Sequence, residues 1–288
     1  MFKNLLIKWK LATLVAIMLV ALAAIGWSGY AGIREVGNSM TDIGTNRMPS
    51  VQGLLIASEG QTAVKSATLA TAIYENDYAA QKEFVGVLEL RKKAWANIQS
   101  GLKIYEPLPQ TKEEAVLWKQ FEADWADWKR ADDLLQSIIA NLSTTKNEAT
   151  QKALYVEFYK QFLDSRPLFN KAEASLNKVI DLNTTLASES VRLGTEHIAS
   201  AMRNMMLMGL AAVLISIAFA AYITISITGP LHQAVGVSNS LADGDLTVRI
   251  DTPSKDETGQ VLQAMSNMIS KLSQVVSDVN SGAQALAS

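Results

Sequence analysis

The sequence predicts an all-α protein. An antiparallel four-helix bundle is expected between two transmembrane helices, followed by a parallel coiled-coil module. Three observations carry this. Met205 to Ile227 is an uncharged run that would extend roughly 34 Å as a helix, enough to cross a hydrocarbon core of about 30 Å with some tilt. The region before it repeats apolar residues in alternating steps of four and three, the spacing of helices that bury a seam. Gly and Pro are scarce, at 16 and 6 of 288 residues, which favours long helices.

Composition excludes several classes of function. A net charge of −2 gives no basis for nucleic-acid binding or for attraction to an anionic surface. There is no Cys, hence no disulfide framework and no thiolate chemistry. The two histidines, His197 and His232, are far apart, so a site built on imidazole is not expected. With no nucleophile–base pair, phosphate loop or metal cluster in view, neither catalysis nor a cofactor is predicted.

In chain order, Met1 to Lys10 carries Lys3, Lys8 and Lys10, and Leu11 to Tyr30 is apolar and uncharged. Because this stretch spans a full bilayer and GIREVGNSM offers no convincing cleavage site, it reads as an uncleaved first span rather than a signal peptide. The three lysines place the N-terminus in the cytoplasm, with Trp27 and Tyr30 at the outer interface. Ala31 to Asn204 is then extracytoplasmic. Breaks at Glu75–Asp77, Glu106–Pro109 and Ser143–Asn147 divide it into four helical segments, and Pro49 should kink or restart the first.

Coiled-coil seams run through Phe84, Leu88, Arg91, Trp95, Ile98, Leu102 and Tyr105, and through Trp118, Phe121, Trp125, Trp128, Asp132 and Leu135. A third takes Tyr155, Phe158, Phe162, Ser165, Phe169, Ala172, Leu176 and Val179. The aromatics of these seams read as core. The first segment is small and polar from Ala57 to Ala72, suited to serving both the bundle and a partner subunit. After the second span, Thr228 to Ala242 reads as a separate short helix, Asp243-Gly244-Asp245-Leu246 as a break, and Thr247 to Asp256 as extended. A last helix from Glu257 carries a seam at Val261, Met265, Met268, Leu272, Val275 and Val279 that seeks parallel partners.

These residues resemble a bacterial methyl-accepting chemotaxis receptor. Pro230-Leu231, the Asp-Gly-Asp-Leu at 243–246 and Asp256-Glu257-Thr258-Gly259, directly after a span, are similar to a HAMP domain. Asn46-Arg47-Met48-Pro49-Ser50 with Leu54 is similar to first-helix patterns of the group. The resemblance implies a homodimer in the inner membrane that passes a signal to a chemotaxis kinase and adaptor. It also implies relay roles for Pro230, Gly244, Asp245, Leu246, Glu257 and Met268. The expected organisation is a cytoplasmic N-terminus (1–10), first span (11–30), periplasmic ligand-binding bundle (31–204), second span (205–227), HAMP domain (228–280) and the start of a signalling helix (281–288). The signalling hairpin and methylation helices are missing, so the chain is expected to be a fragment. Amino-acid receptors of the group use arginines on the first bundle helix; none lies between Arg47 and Arg91 here, and an organic acid is therefore favoured over an amino acid.

Helix rise puts Lys65, Arg91, Arg130 and Tyr159 about 18–23 Å below the tip turns. Arg91 is the sharpest candidate, because a guanidinium on a seam needs an anion, either an internal partner such as Asp132 or a ligand carboxylate. Lys65, Thr68, Arg130, Tyr155 and Tyr159 complete the candidate ligand set. The same membrane layout serves the sensor half of a histidine kinase or cyclase, or a receptor that reads a periplasmic binding protein.

Overall fold

The computed structural model describes residues 4–251 and 254–287 and is helical almost throughout, with no strand among the described residues. The helices are α1 (Ile7–Asp42), α2 (Met48–Ala70), α3 (Gln81–Tyr105), α4 (Lys112–Leu142), α5 (Glu148–Ala242) and α6 (Glu257–Ala287). The chain divides into two compact units. One is Ile33–Ile198; the other takes the chain up to Gly32 and from Ala199 onward.

In the first unit α2, α3, α4 and the start of α5 form the bundle. Every residue of the three expected seams is buried or half-buried. They meet in three layers: Phe84, Leu135, Ile139, Tyr155 and Phe158; then Val64, Ile98, Trp128 and Phe169; then Leu54, Tyr105, Phe121, Leu176 and Val179. An aromatic row runs down α4, with ring centroids 4.9 Å apart for Trp118–Phe121, 5.2 Å for Phe121–Trp125 and 4.7 Å for Trp125–Trp128. Full burial, as at Phe121 and Trp128, stabilises the bundle by about 1.5–3 kcal/mol per ring.

Helix α2 keeps the same four–three seam in disguise. Its buried column is Ser50, Leu54, Ala57, Gln61, Val64, Thr68 and Thr71, so polar side chains stand where its neighbours carry aromatics. Small residues compensate by close approach. A Cβ on Gly53 would lie 2.7 Å from the Gly101 carbonyl oxygen of α3, a contact only glycine permits.

The irregularity expected at Pro49 is a π turn, Ile43–Arg47, just before α2. Pro49 has no N–H for the carbonyl four residues back, and the widened turn absorbs that loss. The turn brings Arg47 inward, where Nη1 donates to Glu114 at 3.4 Å. Glu114 is fully buried and also accepts from Tyr105 Oη (2.8 Å) and Asn183 Nδ2 (2.7 Å). With Thr111 it forms the capping box that starts α4.

In the second unit, α1 and α5 each contain a stretch long and apolar enough to cross a membrane. Leu19, Val20, Trp27, Leu207 and Ile217 are exposed there, as lipid-facing residues would be. A separate helix at Thr228 does not form: α5 continues through Gly229 and Pro230 to Ala242. Pro230 removes the bond its N–H would make to the Ser226 carbonyl and crowds that carbonyl with its ring, and α5 accommodates both without a break. The helix ends in a Schellman motif. Gly244 takes φ +85°, its N–H bonds the Leu241 carbonyl, and the Asp245 N–H bonds that of Ser240. Residues 245–251 carry no regular element. Thr252 and Pro253 of the expected extended stretch, Lys3 of the basic N-terminus and Ser288 lie outside the described residues.

Helix α6 starts at Glu257 as expected. Leu262 and Ile269 are its buried apolar residues, whereas Val261, Met268, Leu272, Val275 and Val279 of the expected seam are exposed and Met265 is half-buried. The apolar stripe thus faces outward within one chain, the arrangement a parallel partner would cover.

Candidate functional site

Arg91 lies in the bundle interior with 1% of its surface exposed. Its place on the α3 seam aims the side chain between α2 and α4, and both helices supply acceptors. Nη2 donates to Asp132 Oδ2 at 2.8 Å and to the Asp132 carbonyl at 3.3 Å, and Nη1 donates to Thr68 Oγ1. Thr68 in turn donates to the Val64 carbonyl (2.8 Å), as a helical threonine commonly does. Trp95, one turn along α3, donates its Nε1–H to the same Asp132 oxygen at 3.1 Å. Arg91 Nε finds no hydrogen-bond partner. Burial pushes the Asp132 carboxyl up from its ordinary value, against the opposing pull of Arg91 and Trp95.

Beside this pair is a cavity of about 20 Å3 whose lining includes Lys65, Thr68, Asp132, Ser165 and Arg166. That volume suits about one water molecule. Trp128 and Phe169 form its apolar walls, and Lys65 Nζ stands 4.2 Å from the Phe169 ring centroid, a cation–π contact. Among the described residues neither Lys65 nor Arg166 has an ion-pair partner. The lining thus includes two cations without an ion-pair partner, next to an Asp132 that is already paired with Arg91.

The structure brings Arg91, Lys65 and Thr68 together and sets the other three candidates apart. Arg130 is on the outer face of α4, 77% exposed at its side chain and bonded to Asp127. It does not line the cavity. Tyr155 donates to the Thr71 carbonyl at 2.6 Å within the tip layer, and Tyr159 donates to Glu75 at 2.8 Å. Burial raises both phenols, most strongly Tyr155. The seam register already set Arg130 on the outer face, and axial rise alone, which fixes level and not direction, kept it and the tyrosines in the candidate set. Sequence reasoning missed Trp95, Ser165 and Arg166 as members of the site. For Trp95 the signal was present: it is one turn along the seam from Arg91.

The residues expected to relay a signal all lie in the second unit. Pro230 sits within α5, Gly244 and Asp245 make the turn, and Asp245 Oδ1 accepts from the Thr247 N–H (2.9 Å) and hydroxyl (2.6 Å). Leu246 is half-buried, Glu257 opens α6, and Met268 stands on its exposed stripe.

Comparison with known proteins agrees with this layout. Residues 4–196 match the family described as a four helix bundle sensory module for signal transduction, and residues 222–274 match the HAMP domain. The chain is 44% identical over 66 residues to the methyl-accepting chemotaxis protein McpA of Bacillus subtilis, covering 23% of this chain and 10% of that protein. McpC of the same organism is 33% identical over 70 residues, covering 24% and 11%. A putative sensory transducer protein of Acetivibrio thermocellus is 22% identical over 195 residues, covering 68% of this chain and 33% of the relative. The chain thus spans between a tenth and a third of the length of these relatives. It belongs to the four-helix-bundle sensory family of methyl-accepting chemotaxis-type receptors, with a HAMP domain following the sensory module.

Proposed function

We propose that this chain senses a small organic acid, which enters beside Arg91 and takes that guanidinium from Asp132. Lys65 and Arg166 at the cavity mouth supply further positive charge, and Thr68 an acceptor that can turn its hydroxyl to donate. The bundle (31–204) lies in the periplasm between an inner-membrane first span (11–30) and second span (205–227). HAMP residues 228–280 and the start of a further helix (281–288) lie in the cytoplasm. Two copies pair through the exposed stripe of α6, and the output is a chemotaxis kinase with its adaptor. The observation that carries the ligand reading is the buried Arg91, whose Nε lacks a hydrogen-bond partner beside two unpaired cations. An internal ion pair alone would leave that donor and that charge excess without a use.

The test is thermal unfolding of the full chain in nanodiscs against a panel of mono- and dicarboxylates, with neutral amino acids as controls. Saturable stabilisation by one carboxylate class, lost in Arg91→Ala, is expected. The small cavity favours a second reading, in which a periplasmic binding protein docks on the bundle. A panel without any stabilising acid would support that alternative.

A further inference from the structure

Lys10 stands at the cytoplasmic edge of the first span and is 1% exposed. Among the described residues no other lysine is buried. A charge at this depth needs a counter-ion, because an unpaired ammonium in an apolar setting is strongly unfavourable. The counter-ion is Asp256, 246 residues away in sequence: Nζ donates to Oδ2 at 2.6 Å and to Ser226 Oγ of α5 at 2.8 Å.

The other Asp256 oxygen has a separate task. Oδ1 accepts from the Gly259 N–H (3.1 Å), the Ser254 hydroxyl (2.6 Å) and the Thr258 hydroxyl (2.7 Å), which makes Asp256 the N-cap of α6. Burial would raise this carboxyl, but Lys10 and these donors together hold it far below the usual carboxylate range. Glu257 adds a second tie, since Oε2 accepts the Ile7 N–H at 2.7 Å at the first residue of α1. A third runs from the Lys255 N–H to Asn4 Oδ1 at 3.3 Å. Gly259 lets the strap close, because a Cβ there would overlap the Ser254 carbonyl.

We propose that Lys10 is a positioning residue of the HAMP domain: with the N-terminal turn of α1 it latches the capped start of α6. The first span is then not only an anchor. It holds the exit of the connector, so that movement of either span reaches α6 through a salt bridge as well as through the chain. This inference is independent of the ligand reading, and unbound protein suffices to test it.

Hydrogen–deuterium exchange of the full chain in nanodiscs reads the latch at residues 259–265. Lys10→Met is expected to speed exchange there tenfold or more while leaving the bundle amides unchanged. Lys10→Arg, which keeps the charge, should restore protection to within about threefold. Ile7→Pro removes the N–H that Glu257 accepts at a helix position where proline is tolerated. It should speed exchange severalfold, and it decides the matter should Lys10→Met fail to insert. Wild-type exchange at 259–265 in an inserted Lys10→Met protein would overturn the proposal. So would wild-type exchange in Ile7→Pro where only that variant inserts.

Discussion

Two of the buried ion pairs, Lys10–Asp256 in one unit and Arg91–Asp132 in the other, are built differently. Asp256 has both oxygens engaged, one by Lys10 and the other by three donors around the start of α6. Asp132 receives Arg91 and Trp95 on a single oxygen, and Arg91 keeps one donor without a partner. A pair whose groups are all satisfied loses free energy through any exchange. A pair with an orphaned donor and two spare cations nearby can gain when a better anion arrives. The first arrangement suits a fixed joint, the second a switch. Lysine and arginine divide along the same line: a point charge serves the latch, whereas a planar fork can hold a carboxylate at two points.

The largest expected effect comes from breaking the Arg91–Asp132 pair. Arg91→Ala strands a buried Asp132 and should destabilise the ligand-free chain by roughly 3–5 kcal/mol in thermal or denaturant unfolding. An effect below about 1 kcal/mol would mean that the pair is already loose.

A third ion pair sharpens the comparison, because only one partner is buried. Lys171 Nζ reaches Asp124 Oδ1 at 2.9 Å and is itself exposed. Burial alone would raise the Asp124 carboxyl, but Lys171, Gln120 and Ser175 hold it below its ordinary 3.8. A depressed carboxyl stabilises the fold above that unfolded value and loses the effect as pH falls through the folded one. Asp124→Asn should therefore lower Tm by no more than about 3 °C at pH 7, given the solvent screening of Lys171. The difference from wild type should shrink once pH falls below the ordinary 3.8 and through the lowered folded value. The smallest effect belongs to a pair exposed on both sides, Arg130–Asp127. Arg130→Ala should leave Tm within about 2 °C and carboxylate binding unchanged, as measured by the same thermal shifts.

Much of the bundle was legible because aromatic and aliphatic residues mark the seams of α3, α4 and α5. The α2 seam was hidden, since Ser50, Gln61, Thr68 and Thr71 occupy positions where an apolar pattern is sought. Arg91 showed itself as a charge in an apolar row, and Asp132 was a visible partner for the same reason. Lys10 was read only as a marker of membrane orientation. Nothing local distinguishes it from Lys8, and its partner enters through a fold-level contact 246 residues away. The continuity of α5 past Pro230 was missed because an interior proline both loses a hydrogen bond and crowds the carbonyl four residues back, so a break is the ordinary expectation.

On the proposed function, Asp132 holds the place of a ligand carboxylate at Arg91. Calorimetric binding of the stabilising acid to full-length Asp132→Asn in nanodiscs tests it most directly. Asparagine keeps an acceptor for Trp95 but removes the competing charge, so affinity should rise tenfold or more even as the ligand-free chain becomes less stable. Unchanged or weakened binding would contradict the exchange and leave Arg91–Asp132 as a structural pair alone.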